Sequence, residues 1–171
     1  MVFLDETGSN LALTRGYGRG PKGARVGGAV PSSYGPNVTV VGALGWAGVT
    51  AACSVVGPMD GAVFRVFVEQ ILAPTLHAGD VVVLDNLSTH KVAGIREAIE
   101  QCGARLLYLP PYSPDLNPIE QCWSKLKARL RTVQARTVVT LEQAITEAFA
   151  HVTPSDAQGW FHHSGYSLYA P

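Results

Sequence analysis

Two short apolar runs, Met1-Val-Phe-Leu and Val81-Val-Val-Leu, each close on an acid, Asp5 and Asp85. Near-continuous apolar runs of this length read as strands buried in a covered sheet, and one sheet can bring them side by side. Both acids then stand at the sheet's carboxyl edge, where open α/β sheets carry their sites. Each acid alone has a second reading, because an Asp after a strand also begins turns and caps helices. Asp85, followed by Asn86-Leu-Ser-Thr-His90, keeps that reading open. The pair is harder to dismiss, since both acids end strands of the same kind.

A third acid, Glu120, follows Asp85 after 34 intervening residues and opens a helix behind the run Leu109-Pro-Pro-Tyr-Ser-Pro-Asp-Leu-Asn-Pro-Ile. Three carboxylates brought together repel one another unless cations neutralise them. Two Mg²⁺ or Mn²⁺ ions held about 3.5–4 Å apart by such a cluster are a standard means of in-line phosphoryl displacement on nucleic acid. Glu120 also has a plain structural reading, as Asn117, Pro118 and Glu120 match N-cap, first-turn proline and the glutamate of a capping box. Its helical phase gives it company: Ile119, Cys122, Trp123, Leu126, Leu130 and Val133 share one arc, while Glu120, Ser124, Lys127 and Arg131 share another. Pro110, Pro111 and Pro114 stiffen the approach, which would help to hold a metal-binding acid in place.

The remaining pattern predicts one α/β domain over residues 1–171, with a mixed five-stranded sheet flanked by helices. Residues 1–5 form a strand, and the Gly-, Pro- and Ser-rich stretch 8–36 an extended loop. Val38–Trp46 and Val49–Val56 form an antiparallel hairpin. Asp60 caps a helix with Val63, Phe64, Phe67, Val68, Ile71 and Leu72 inward, ending at Pro74. Residues 80–85 form a strand, and Lys91–Cys102 a helix with Val92, Ile95 and Ile99 inward, stopped by Gly103. Arg105–Leu109 completes a right-handed crossover, so those two strands run parallel. Thr140-Leu-Glu-Gln143 reads as a capping box, and Thr153-Pro154 as the start of a last helix.

The net charge is zero, but nine of the thirteen basic residues fall in two acid-free stretches. One holds Arg15, Arg19, Lys22 and Arg25; the other holds Lys125, Lys127, Arg129, Arg131 and Arg136. That asymmetry is a nucleic-acid footprint or else two solvated faces. His90 is a further candidate for phosphate contact, against helix capping or simple exposure. Cys53, Cys102 and Cys122 lack CxxC spacing and read as reduced thiols, not a zinc site. With no secretory leader and no membrane-spanning run, the chain reads as cytoplasmic.

Four segments together resemble the catalytic domain of a bacterial insertion-sequence transposase of the mariner-like DDE class. They are Phe3-Leu-Asp-Glu-Thr7, Tyr17-Gly-Arg-Gly-Pro-Lys-Gly23, Val83-Leu-Asp-Asn-Leu-Ser-Thr-His-Lys91 and Leu109-Pro-Pro-Tyr-Ser-Pro-Asp-Leu-Asn-Pro-Ile-Glu120. The resemblance implies a ribonuclease-H-like fold with Asp5, Asp85 and Glu120 as the metal-binding triad; Asp115 belongs to the motif but not to that position. It implies cutting at element ends, joining of the freed 3′-hydroxyl to a TA-containing target, and a homodimer in the active complex. Members of the class carry a helix-turn-helix region ahead of the first catalytic strand, where this chain begins. A downstream frame joined by frameshifting, a truncated remnant and an excised piece all fit that start. Rival readings are a stand-alone ribonuclease H or junction resolvase, a phospho-acceptor receiver domain, and a non-catalytic DNA-binding remnant. The receiver domain needs a lysine where Leu109 is followed by Pro-Pro-Tyr.

Overall fold

The computed structural model describes residues 1–167. Five strands form one sheet: β1 (Val2–Ser9), β2 (Val38–Gly45), β3 (Gly48–Val56), β4 (Val81–Leu84) and β5 (Arg105–Tyr108), in the order β3-β2-β1-β4-β5. β1 pairs antiparallel with β2 and parallel with β4, and β4 pairs parallel with β5. Alternation of side chains along the strands splits the core in two. Phe3, Val40, Leu44 and Val83 face α3 (Ile119–Val133), α4 (Val138–Ala150) and α5 (Pro154–His163). Val2, Leu4, Val41, Val82, Leu84 and Leu106 face α1 (Gly61–Phe67) and α2 (Ile95–Gln101).

Several boundaries move from the sequence expectation. β1 does not end at Asp5: its backbone stays paired with β2 from Val2–Gly45 to Ser9–Val38, although its residues turn polar. The pairing of β1 with β4 does stop at Leu4–Leu84, one step before both acids. The helix expected to run to Pro74 is regular only through Phe67, then opens into a π turn over Val68–Leu72 and a 3-10 turn over Ala73–Thr75. A wider turn shifts the phase, so Ile71 points to solvent while Leu72 stays buried.

The expected helix 91–102 is broken at Gly94, whose φ of +96° a side-chain-bearing residue rarely adopts. Residues Ser88–Lys91 form a 3-10 turn, Val92 is exposed, and the helix proper begins at Ile95. The N-cap of α4 lies three residues before the expected Thr140: Thr137 takes that position, and the Thr140 hydroxyl accepts from its amide in return. Thr153 caps α5 as expected. All three cysteines are free thiols. Among the described residues no helix is long and apolar enough to cross a membrane.

Candidate active site

Asp5, Asp85 and Glu120 line one cleft of about 470 Å³, together with Asn86, Asn117 and the proline-rich segment from Leu109 to Pro114. β1 and β4 deliver the first two acids side by side where their pairing ends, and the start of α3 delivers the third. Asp115, on the 3-10 turn Pro114–Leu116, is exposed and does not line the cleft.

Asp5 is buried and held on both oxygens. Its Oδ1 accepts from the Glu6 amide at 2.7 Å, and its Oδ2 accepts from Asn117 Nδ2 and Trp123 Nε1, each at 3.3 Å. Trp123 reaches this position because β2 offers Gly42 opposite Asp5: a Cβ there would stand 2.8 Å from the indole Cη2. Burial raises the Asp5 carboxyl to about 7 from its ordinary 3.8; the charges of Glu120 and Asp85 add to the rise, against the hydrogen bonds from Glu6 and Trp123.

Asp85 follows the last residue of β4 and is half-buried. Its Oδ1 accepts from the Leu87 amide at 3.1 Å and from His90 Nδ1 at 2.5 Å. Burial works against its charge, but His90 and the Leu87 amide outweigh it and hold the carboxyl below its ordinary range. His90 itself is 0% exposed. Burial favours its neutral form, yet the hydrogen bond to Asp85 and the nearby charges of Asp85 and Glu6 lift it to about 9.

Glu120 is exposed, and its side chain makes no hydrogen bond or ion pair among the described residues, while its amide donates to the Asn117 carbonyl at 3.2 Å. It does not close a capping box, because Asn117 turns its amide to Asp5, and Pro118 occupies the cap position without a side-chain bond. Among the described residues, no three His, Cys, Asp or Glu side chains are arranged, as they stand, to hold a metal ion.

The basic candidates divide. Arg15, Arg19, Lys22 and Arg25 are all exposed on the irregular segment between β1 and β2. Arg136 pins the start of that segment by donating to the carbonyls of Leu11 and Leu13. Lys127 is half-buried and Arg131 exposed on α3. Lys125 is instead bound to Asp156 at 2.6 Å. The expectation that His90 meets phosphate is corrected: wholly buried under Phe64, its ring partners an acid. Sequence reasoning also missed Asn117, Trp123 and Gly42 as the setting of Asp5, and Glu6 as a neighbour of His90. Only Trp123 left a trace, as an inward residue one helical turn after Glu120.

Residues 1–142 match the DDE superfamily endonuclease family. The transposable element Tcb1 transposase of Caenorhabditis briggsae is 34% identical over 85 residues, which is 47% of this chain and 31% of that protein. The solved Mos1 transposase paired-end complex with left transposon end has a TM-score of 0.75 at 17% identity, covering 94% of this chain and 51% of that one. The Mos1 mariner paired end complex with Mn gives 0.71 at 18% identity, with the same coverage. The chain therefore spans about half the length of these Mos1 chains, and the likeness extends across its ribonuclease-H-like sheet and helices.

Proposed function

Because the chain belongs to the DDE superfamily of endonucleases, we propose that its cleft cleaves and joins DNA strands, with Asp5, Asp85 and Glu120 holding two Mg²⁺ or Mn²⁺ ions. One observation carries the reading. Asp5, Asp85 and Glu120 line one cleft with no basic residue among its lining, and Asp5 is buried there, where burial first and the two other acids after it disfavour its charge. Structural acids are placed beside cations; acids placed beside acids fit a divalent ion. When bound, the ions would activate water or a 3′-hydroxyl and stabilise the oxygen displaced from phosphorus.

The residues of the chain supply the frame. Asn117, Trp123 and the Glu6 amide fix the Asp5 carboxylate. Asp85 takes both of its hydrogen bonds on Oδ1, which leaves Oδ2 for a cation. Glu120, unbonded at the lip, is free to turn inward. No serine, cysteine or threonine nucleophile is required, since both steps are direct phosphodiester displacements. Arg15, Arg19, Lys22, Arg25, Lys127 and Arg131 remain the candidate phosphate contacts. In the finer reading the substrate is the end of a bacterial insertion sequence, the target contains TA, and the working form is a homodimer served by a helix-turn-helix portion. The Mos1 paired-end complex with a transposon end supports the part of that reading that concerns transposon ends.

The test is cleavage of end-labelled DNA by the chain with Mn²⁺, Mg²⁺ or EDTA. Metal-dependent cuts leaving a 3′-hydroxyl, lost in Asp85→Asn, are expected. Cuts that survive EDTA or that substitution would overturn the assignment, and the strand-joining step is read with a supercoiled target.

A further inference from the structure

We propose that Glu6 and His90 form, with Asp85, a relay centred on the buried His90 ring that orients the Asp85 carboxylate and thereby sets how tightly the cleft holds its divalent cation. The proposal rests on the metal reading above and concerns two residues that need not touch metal or DNA.

The geometry is a line of three side chains. His90 Nδ1 lies 2.5 Å from Asp85 Oδ1, and His90 Nε2 lies 3.9 Å from Glu6 Oε2 on the far side of the ring. The imidazole cannot swing away. The Phe64 ring lies against it with centroids 4.4 Å apart and planes 31° apart, and the Tyr108 hydroxyl donates to the His90 carbonyl at 3.1 Å. Because the Leu87 amide binds the same Asp85 oxygen as His90, the carboxylate is gripped on one edge only. Its other oxygen is thereby selected for the cleft that Asp85 lines.

The strand explains the placement of Glu6. Successive residues of β1 point to opposite faces, so Asp5 goes to the side of Trp123 and Glu6 to the side of Phe64 and His90. One strand thus supplies an acid of the cleft and the end of the relay behind its neighbour. A purely stabilising role explains this poorly. His90 Nε2 and Glu6 Oε2 are both buried without a hydrogen-bond partner, at a separation too long for one. Buried polar groups left short of partners cost stability, and a well-packed apolar replacement would commonly do better. Orientation of a ligand from behind is what such partners do in metal sites, where removing one costs about 10–100-fold in metal affinity.

The relay is tested by titrating Mn²⁺ into the full chain by calorimetry, with urea unfolding run in parallel. In His90→Asn the amide nitrogen stands near the position of Nδ1; in His90→Gln it stands near Nε2. His90→Asn empties more space beneath Phe64 than His90→Gln does, so a structural role weakens the Asn variant more. The relay predicts a split in the opposite sense: His90→Gln, which loses the bond to Asp85, binds Mn²⁺ about 10–100-fold more weakly, while His90→Asn, which keeps that bond and loses only Glu6, weakens Mn²⁺ binding no more than Glu6→Gln does. Equal Mn²⁺ affinity in all three proteins, or losses that track stability, would overturn it. Glu6→Gln, at a partly exposed position, should weaken Mn²⁺ several-fold; it decides the matter if neither His90 variant folds, and unchanged affinity there removes the relay. Asp85→Asn separates the two proposals. If it abolishes Mn²⁺ binding while the relay variants bind normally, the relay alone fails; if it leaves binding intact, the metal reading fails first.

Discussion

Raising pH should destabilise the metal-free protein, and Asp5 should be the reason. The carboxyl titrates at about 7 in the fold against 3.8 unperturbed. Between those values the folded state holds a proton that the unfolded state has released. Unfolding free energy therefore falls as pH rises through this window and levels off above it. The gap, at 1.36 kcal/mol per pH unit, amounts to at most about 4 kcal/mol, of which about 2–3 kcal/mol is lost between pH 5 and pH 8. His90 has the same sign in a higher window: its contribution is complete below 6.5 and disappears as pH passes about 9. Urea unfolding in EDTA at half-unit steps from pH 4.5 to 9.5 resolves the two. Asp5→Asn resembles the protonated acid in shape and charge, so it should abolish the lower fall while keeping the upper one, and it should be the more stable protein at pH 8. Mn²⁺ should restore wild-type stability at pH 8 and leave Asp5→Asn nearly unmoved. A wild-type stability that is flat from pH 5 to pH 8, or one that falls equally in Asp5→Asn, would refute the account of Asp5 as an acid destabilised by burial and by its neighbours.

Glu120→Gln should change unfolding free energy by less than about 0.5 kcal/mol, the range of a surface substitution, because the side chain caps nothing; DNA cleavage, measured on labelled duplex, should be lost. Replacing Lys127 and Arg131 with Ala should flatten the salt dependence of DNA binding by about 0.9 log units per phosphate contact removed, equally for end-derived and scrambled duplexes in fluorescence anisotropy. The same replacement at Lys125, already engaged by Asp156, should flatten it less. Tyr112→Gly should stabilise the fold by roughly 0.5 kcal/mol: the wholly exposed tyrosine sits at a φ of +55°, a conformation costing about 1–2 kcal/mol, while glycine returns part of that as unfolded-state entropy. Thermal unfolding checks it.

How much of the site could be read in advance depended on the kind of signal. Val81-Val-Val-Leu-Asp85 and the crossover to Arg105 were legible because apolar runs and turn residues are local properties, and they place Asp85 correctly. Glu120 was legible through helical phase. Asp5 was read as the end of a strand because hydrophobicity stops there, whereas the strand continues on backbone hydrogen bonds to β2, to which side-chain polarity is blind. Asn117 looked like a helix cap since its sequence neighbours fit that motif; its actual partner, Asp5, lies more than a hundred residues away. His90 sat in a polar turn and so looked exposed. The distant Phe64, folded over it, and Glu6 on the neighbouring strand make it interior.

The position of β1 bears on how the chain reaches this fold. Its partner on one side, β2, belongs to a hairpin that follows it, so an antiparallel three-stranded unit can assemble from residues 1–56. Its other edge, Val2-Phe-Leu, pairs with β4 only after α1 and the turns behind it have been laid down. Parallel pairing across such a span is slow, since loop closure precedes the contacts that reward it. During that interval an apolar strand edge stands open and can template pairing between chains. Aggregation in competition with refolding should therefore be governed by closure of β4 onto β1, and Asp5 and Asp85 meet only at that same step: a chain caught in the aggregation-prone state has not built the cleft they line.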